Sequence, residues 1–231
     1  MSIKTEIARI KKNISDALAA IALRNVEVPT NSTSNDLATL IRQIPVPAEG
    51  DDNYKQLVEG TAAHPVFPQN LTKIGAFLFY NYPAALALTE LPETVTEVGA
   101  ASFMLCSHLA LTHLPAGLIS VGSNAFYGCS NITISELPSG LTVIPSGAFW
   151  GCAKMTFTEI PGGIKTIANS AFAYCSELTS ITFKGTPTSI GASAFEHCDK
   201  LTTINVPWAE GTVANAPWGA TNATINYYGV K

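Results

Sequence analysis

Residues 114–155 read LPAGLISVGSNAFYGCSNITISELPSGLTVIPSGAFWGCAKM, and one pattern occurs twice within them. The pattern is Leu-Pro, two spaced apolar residues, Ala-Phe, Cys and then an apolar anchor. It recurs along the chain at a constant step of 23 residues. The anchors are Leu86, Leu109, Ile132, Met155, Leu178 and Leu201. A repeat of this length predicts a solenoid, in which each unit buries its apolar face against its neighbours.

The composition limits the function classes. Of the 231 residues, 47% are apolar and only 13% are charged, with a net charge of -4. Lysine and arginine do not cluster beyond Lys11 and Lys12, so we expect no nucleic-acid surface. No apolar run approaches the roughly 20 residues that cross a bilayer, so no membrane insertion is expected. The opening MSIKTEIARIKKNIS does not have the form of a secretory signal peptide.

The cysteines follow the repeat. They are Cys106, Cys129, Cys152, Cys175 and Cys198. Equivalent positions in stacked coils lie about 4.8 Å apart, which is farther than the Cβ atoms of a disulfide. The spacing therefore predicts a ladder of buried thiols. A metal-binding or redox-active row is the alternative.

The N-terminal segment has a different pattern. Apolar residues alternate at steps of four and three, as in a heptad seam: Ile3, Ile7, Ile10, Ile14, Ala17 and Ile21. A second helix is predicted from a cap at Ser34 or Asn35 to Ile44, before Pro45 and Pro47. The seam would pack within this helical hairpin or against other copies of the chain, of which a trimer is favoured.

These patterns divide the chain into four parts. Residues 1–48 are predicted to form the helical oligomerisation or docking module, and 49–63 a linker and first strand. The solenoid would extend over 64–207. The remainder, 208–231, would be a C-terminal cap, in which Trp208 and Trp218 close the last coil.

The repeats resemble the BspA-like, or Treponema-type, leucine-rich repeat, with the consensus LPxxLTxIGxxAFxxCxxLTxI. The chain matches it in LPSGLTVIPSGAFWGCAKM and SIGASAFEHCDKLTTINVP, and the resemblance covers 64–207. It implies a right-handed α/β-repeat solenoid with a parallel sheet on one face. It also implies a role in adhesion or recognition, often at a cell surface.

A second resemblance concerns the two ends of the chain. Residues 7–44 are similar to segments that open phage and prophage minor tail proteins, and VPWAEGTVANAPWGATNATINYY resembles the terminal cap of repeat proteins from such sources. With no signal peptide seen, this resemblance favours a virion-associated protein that leaves the cell by lysis.

The strand residues after each anchor suggest two rows where a ligand could bind. In the early units the apolar residues after the anchor are spaced by two and then three positions, whereas in the last two units they are spaced by three and then two. If all coils follow one backbone path, this difference turns one apolar residue of each early unit outward and exposes an apolar stripe. That stripe consists of Leu88, Leu111, Ile134 and Phe157. The alternative is a local bulge that buries these residues.

The second row is polar and lies beside the stripe. It consists of Glu90, His113, Glu136 and Glu159. Such a row could attract a cationic partner or hold a divalent ion, or it is a solvated edge. Trp150, Tyr127 and Tyr174 lie within the Ala-Phe-x-x-Cys turns, as platforms for sugars or as partly buried turn residues.

No catalytic motif is found. The four histidines are not paired at metal-ligand spacing, and hydrolase, P-loop and dinucleotide fingerprints do not occur. We therefore expect a non-enzymatic recognition protein without cofactors. The favoured setting is a phage tail or baseplate, where the repeat face binds a protein or glycan on a cell surface and other virion proteins are further partners. A bacterial cell-surface adhesin and a spacer without a ligand are the alternatives.

Overall fold

The computed structural model describes residues 67, 71–76, 78–81 and 88–229. In this part the chain winds into a solenoid in which every paired strand is parallel to its neighbours. Most strands consist of two residues, because each coil turns sharply after a single inward-pointing apolar residue. The predicted parallel solenoid is confirmed, while its right-handed winding stays a prediction.

The strands form three parallel sheets. One contains β1 (Lys73–Ile74), β2 (Glu97–Val98) and β3 (Ser120–Val121). The second contains β4 (Val143–Ile144), β6 (Thr166–Ile167) and β8 (Ser189–Ile190). The third, in the order β10-β9-β7-β5, contains β5 (Glu159–Ile160), β7 (Ser180–Phe183), β9 (Thr203–Val206) and β10 (Thr224–Tyr227).

A ladder of phenylalanine rings runs through the core. It consists of Phe79, Phe103, Phe126, Phe149, Phe172 and Phe195, which are all fully buried. Adjacent centroids are 5.1–5.5 Å apart and the ring planes differ by 4–8°. Because the six rings stack from one coil to the next, the ladder stabilises the contact between neighbouring coils.

The cysteines form a second buried ladder, as predicted, and all five are free thiols. Each Sγ donates a hydrogen bond to the carbonyl oxygen of the phenylalanine in the preceding coil, at 2.8–3.3 Å. Burial raises the pKa of the Cys152 and Cys175 thiols well above its usual value. It raises the pKa of the Cys198 thiol to about 12. Thiols in this state are inert packing groups.

The side of the coil that contains Ala-Phe-x-x-Cys consists of turns, and the described residues contain no α-helix. The α/β repeat class is therefore wrong for these coils. A helix cannot continue because the residue before each cysteine has a positive φ, as at Leu105, Gly128 and Gly151. The predicted helical hairpin of residues 1–48 lies outside the described residues.

Two tryptophans close the C-terminal end of the core. Trp218 lies 23 residues after Phe195, and its carbonyl oxygen accepts the Phe195 N–H at 2.9 Å. The rings of Trp208 and Trp218 meet edge to face at 6.3 Å, and both are buried. Trp218 thus closes the core after the last coil, where its ring lies against Phe183 and Trp208 and does not extend the phenylalanine stack.

Candidate functional site

The structure buries the four residues that were candidates for an exposed apolar stripe, as the alternative of a local bulge predicts. Leu111 and Ile134 are 0% exposed, Phe157 is 1% exposed and Leu88 is 9% exposed. The Phe157 ring packs on Phe172 at a centroid distance of 5.0 Å. The exposed stripe is therefore wrong, the alternative of burial is confirmed, and these four residues belong to the core.

The physical reason is a shift of the backbone path within the coil. Along 132–137 the order is buried, exposed, buried, exposed, exposed and buried. Along 178–183 it is buried, exposed, half-buried, buried, half-buried and buried. The two adjacent outward residues come late in the early coils and directly after the anchor in the later ones. The chain therefore kinks at a different place and keeps every apolar residue inside.

The polar row lies on the surface as predicted. Glu90, His113, Glu136 and Glu159 are all exposed. Glu159 Oε1 is 2.6 Å from Lys184 Nζ, and this hydrogen bond raises the Lys184 pKa. His113 Nε2 lies 3.2 Å from Glu93 Oε1. Part of the row is therefore paired within the chain, and the binding of a cation by it stays a prediction.

A second surface lies over the Ala-Phe-x-x-Cys turns. We call Tyr127, Trp150, Tyr174 and His197 the aromatic ridge. Their ring centroids are 4.3, 4.8 and 4.4 Å apart in that order. Tyr127 and Trp150 are half-buried, whereas Tyr174 is 42% exposed and His197 is exposed. Four consecutive coils thus contribute one ring each to a continuous stack.

The rings of the aromatic ridge come from two different positions in the repeat. Tyr127 and Trp150 directly follow the core phenylalanine, and the next residue in both coils is a glycine with positive φ. Tyr174 and His197 occupy that glycine position themselves, at φ 60° and 57°. The left-handed conformation costs a non-glycine residue about 1–2 kcal/mol. Bulky residues rarely adopt it without a compensating reason.

Polar pairs follow the ridge three or four residues later in each coil. Lys154 Nζ donates to Asn131 Oδ1 at 2.7 Å, and Lys200 Nζ lies 2.8 Å from Glu177 Oε1. These pairs link neighbouring coils at the same step of 23 as the core. An aromatic centre beside a polar margin is the usual composition of a protein-protein interface.

The sequence pattern indicated only part of this surface. Tyr127, Trp150 and Tyr174 were recognised as aromatic turn residues, whereas His197 was missed. The sequence does contain a signal for His197, because Tyr174 and His197 occupy the same position of the 23-residue repeat as Gly128 and Gly151. The predicted oligomerisation residues Ile3, Ile7, Ile10, Ile14 and Ile21 lie outside the described residues.

The described residues contain neither a metal-binding cluster nor a membrane-spanning helix. Among these residues, no three His, Cys, Asp or Glu side chains come together as a metal site. In the same part of the chain, no helix has the length and apolar character required to cross a bilayer. What the exposed rows can do chemically is make van der Waals contacts and hydrogen bonds to a partner.

The comparison with protein families agrees with this architecture. The model of the BspA type leucine rich repeat region matches in six copies over 62–156 and 102–214, well over half of the 231 residues. No protein with a curated description matches the sequence.

Three solved structures are similar to this chain. A leucine rich cell surface protein from Faecalibacterium prausnitzii is 28% identical with a TM-score of 0.45, over 59% of this chain and 43% of that protein. A leucine-rich repeat protein from Bacteroides ovatus is 19% identical with a TM-score of 0.48, over 72% and 56%. The T. pallidum leucine rich repeat protein is 28% identical with a TM-score of 0.47, over 61% and 65%. The chain spans less than two thirds of the length of each of these proteins.

Proposed function

Because the chain belongs to the BspA type leucine-rich repeat family, we propose that it is a non-enzymatic recognition protein that binds another protein through the aromatic ridge. The resemblance based on the repeat consensus is confirmed by the family match. A solenoid of this family presents an elongated surface, which suits the recognition of a macromolecule.

The observation that carries the proposal is the continuity of the ridge. Between Trp150 and Tyr174 the ring moves by one position in the repeat, yet the two rings remain 4.8 Å apart. Glycine adopts this turn without strain, yet the residues before Cys175 and Cys198 are aromatic, and the residue before Cys106 is the exposed Leu105. The aromatic side chains there are better explained by what they contact outside the chain.

A protein partner fits this surface better than a sugar. Sugars stack on open ring faces, but the ridge rings cover one another, with Tyr127 and Trp150 only 5° from parallel. The partner would therefore meet mainly ring edges and polar groups. Tyrosine and tryptophan in this setting are the residues that most often dominate binding between proteins.

The test joins a photo-crosslinker with glycine variants. Benzoylphenylalanine at position 174 should yield a protein crosslink, and at Lys184, on the sheet side, it should not. With the captured partner purified, Tyr174→Gly with His197→Gly should weaken its binding at least tenfold without lowering the urea midpoint, because glycine relieves the backbone. Tyr174→Phe is the control and should bind normally. If the glycine variant bound the partner as tightly as the natural chain, the aromatic ridge would not be the binding surface. The hypothesis of a spacer without a ligand would then remain.

For the setting of this activity, we propose a phage tail or baseplate in which the ridge or another solenoid surface meets a host-cell macromolecule. The resemblance of residues 7–44 and of the C-terminal cap to minor tail proteins supports this proposal. A cell-surface adhesin fits the family as well. Antibody labelling of intact cells and of purified particles after prophage induction would separate the two, because only a virion protein is enriched in particles.

A further inference from the structure

The third sheet ends in an edge strand. β10 pairs with β9 on one side, and no described residue forms a strand on its other side. Thr224 N donates to Thr202 O at 2.8 Å, and Tyr228 N donates to Val206 O at 3.0 Å. Because backbone groups alternate along a strand, the N–H and C=O groups of Ile225 and Tyr227 point away from β9.

The open edge contrasts with the closed core beside it. Trp218 is fully buried and packs near Phe183 and Trp208. On the sheet side, Ile225 and Tyr227 pack against the core but remain half-buried. These two side chains have the inward position that neighbouring strands bury completely, as at Ile204 and Val206.

The strand also lacks the residues that normally protect an edge. Residues 221–229 read TNATINYYG, without a charge or a proline. Natural sheets use lysine, other charges or proline at such edges to prevent pairing. Asn226 Nδ2 donates to Asn205 Oδ1 at 2.9 Å, and Asn205 Nδ2 donates to Thr182 Oγ1 at 3.2 Å, so the polar face forms an ordered ladder up to the edge.

We propose that β10 is a self-association site, at which β10 strands of two copies of the chain pair antiparallel about a two-fold axis at Asn226. Ile225 of one copy would exchange two backbone hydrogen bonds with Tyr227 of the other, and the symmetric pair would do the same. The two four-stranded sheets would then become one continuous sheet of eight strands.

Charge explains why the partner is a second copy. Antiparallel pairing of identical strands about one residue places that residue opposite itself, and like charges in this arrangement are destabilising. A neutral strand avoids the repulsion completely. The half-buried Ile225 and Tyr227 side chains would also gain cover from their counterparts, which provides an apolar contribution.

The experiment reads hydrogen exchange at Ile225 and Tyr227 in the full-length chain. Exchange of both amides should slow at least tenfold as the chain is concentrated from micromolar to several hundred micromolar. Asn226→Lys and Asn226→Glu should each abolish this concentration dependence, and an equimolar mixture of the two should restore it. Both variants are at an exposed position, and an unchanged urea midpoint would confirm that they fold.

Three outcomes would overturn the proposal. Fast exchange at every concentration would mean that the edge does not pair. Slow exchange even at high dilution would mean that another part of the same chain covers it. If amide exchange in a solution that contains only Asn226→Lys still slowed with concentration, the contact would lie elsewhere or have another geometry.

Discussion

A single hydroxyl group interrupts the core near the N-terminal end of the solenoid. Ser102 is 0% exposed, and its Oγ has no hydrogen-bond partner among the described residues. The following coils have alanine at the same position: Ala125, Ala148, Ala171 and Ala194. A buried hydroxyl without a partner loses its hydration without compensation.

Ser102→Ala should therefore stabilise the chain. The expected gain in the free energy of unfolding is about 1–2 kcal/mol, the usual cost of an unsatisfied buried hydroxyl. Urea denaturation measures it as a higher midpoint at an unchanged slope. Ser123→Ala, at an exposed position, is the matched control and should leave the midpoint unchanged. A lower midpoint for Ser102→Ala would mean that the hydroxyl has a bonding role.

At the scale of the elements, the aromatic ladder stabilises the contacts between coils. Phe149 lies between Phe126 and Phe172, with centroids 5.4 and 5.5 Å away. Phe149→Ala should lower the free energy of unfolding by about 3–5 kcal/mol, as for other buried phenylalanines. The urea transition should also broaden or divide, since coupling between the coils before and after the cavity is weakened.

The control for the ladder is a ring of similar size on the surface. Tyr127 is half-buried and stacks on Trp150. Tyr127→Ala should lower the free energy of unfolding clearly less than Phe149→Ala does, and its urea denaturation should remain a single transition. Equal losses for the two variants would show that coil coupling does not depend on the ladder.

The thiol ladder makes stability depend on pH. Burial raises the folded-state pKa of Cys152, Cys175 and Cys198 above the value of about 8.5 for an unfolded thiol. Above that pH the unfolded chain binds fewer protons than the folded one. Stability is therefore complete below pH 8.5 and decreases as pH rises towards the folded pKa, by up to about 1.4 kcal/mol per pH unit for each thiol.

Urea denaturation between pH 7 and 9.5 measures this slope before tyrosines and lysines ionise. Cys152→Ala should lower stability at pH 7 but give a shallower decrease with pH, because one titrating thiol is gone. Identical slopes for the variant and the natural chain would exclude thiol ionisation as the cause.

The elements also show how far sequence reasoning reaches. The step of 23 predicted the parallel coils and the buried cysteines, because a fixed phase forces equivalent residues to stack. It could not place Leu88, Leu111, Ile134 and Phe157. Alternation along a strand assumes one backbone path, and the chain instead moves its kink to keep those side chains inside. For the ridge, Tyr174 could be recognised as an aromatic turn residue, whereas His197 could be found only by its alignment with Gly128 and Gly151. The left-handed conformation that places both rings is visible only in the structure.

At the scale of the whole molecule, the heptad seam near the N-terminus is predicted to set the number of copies. Light scattering of the full chain should give the mass of a trimer at micromolar concentration. Ile10→Glu with Ile14→Glu should reduce it to the mass of a monomer, because two carboxylates in an apolar seam cost several kcal/mol. Glutamate at two polar positions outside the seam, Asn13 and Asp16, is the control. A monomeric natural chain would show that the seam packs within one chain or serves another partner.

The contacts between coils recur every 23 residues, and this spacing affects how the gene can change in length. Side-chain bonds such as Lys154 to Asn131 and Lys200 to Glu177 each span 23 residues, so neighbouring coils contact each other through equivalent positions of the repeat. Unequal crossing-over that removes or adds 69 nucleotides, 23 codons, would shorten or lengthen the molecule by one coil and keep both buried ladders in register. Such a gene can vary the length of its product in whole steps without first losing the fold.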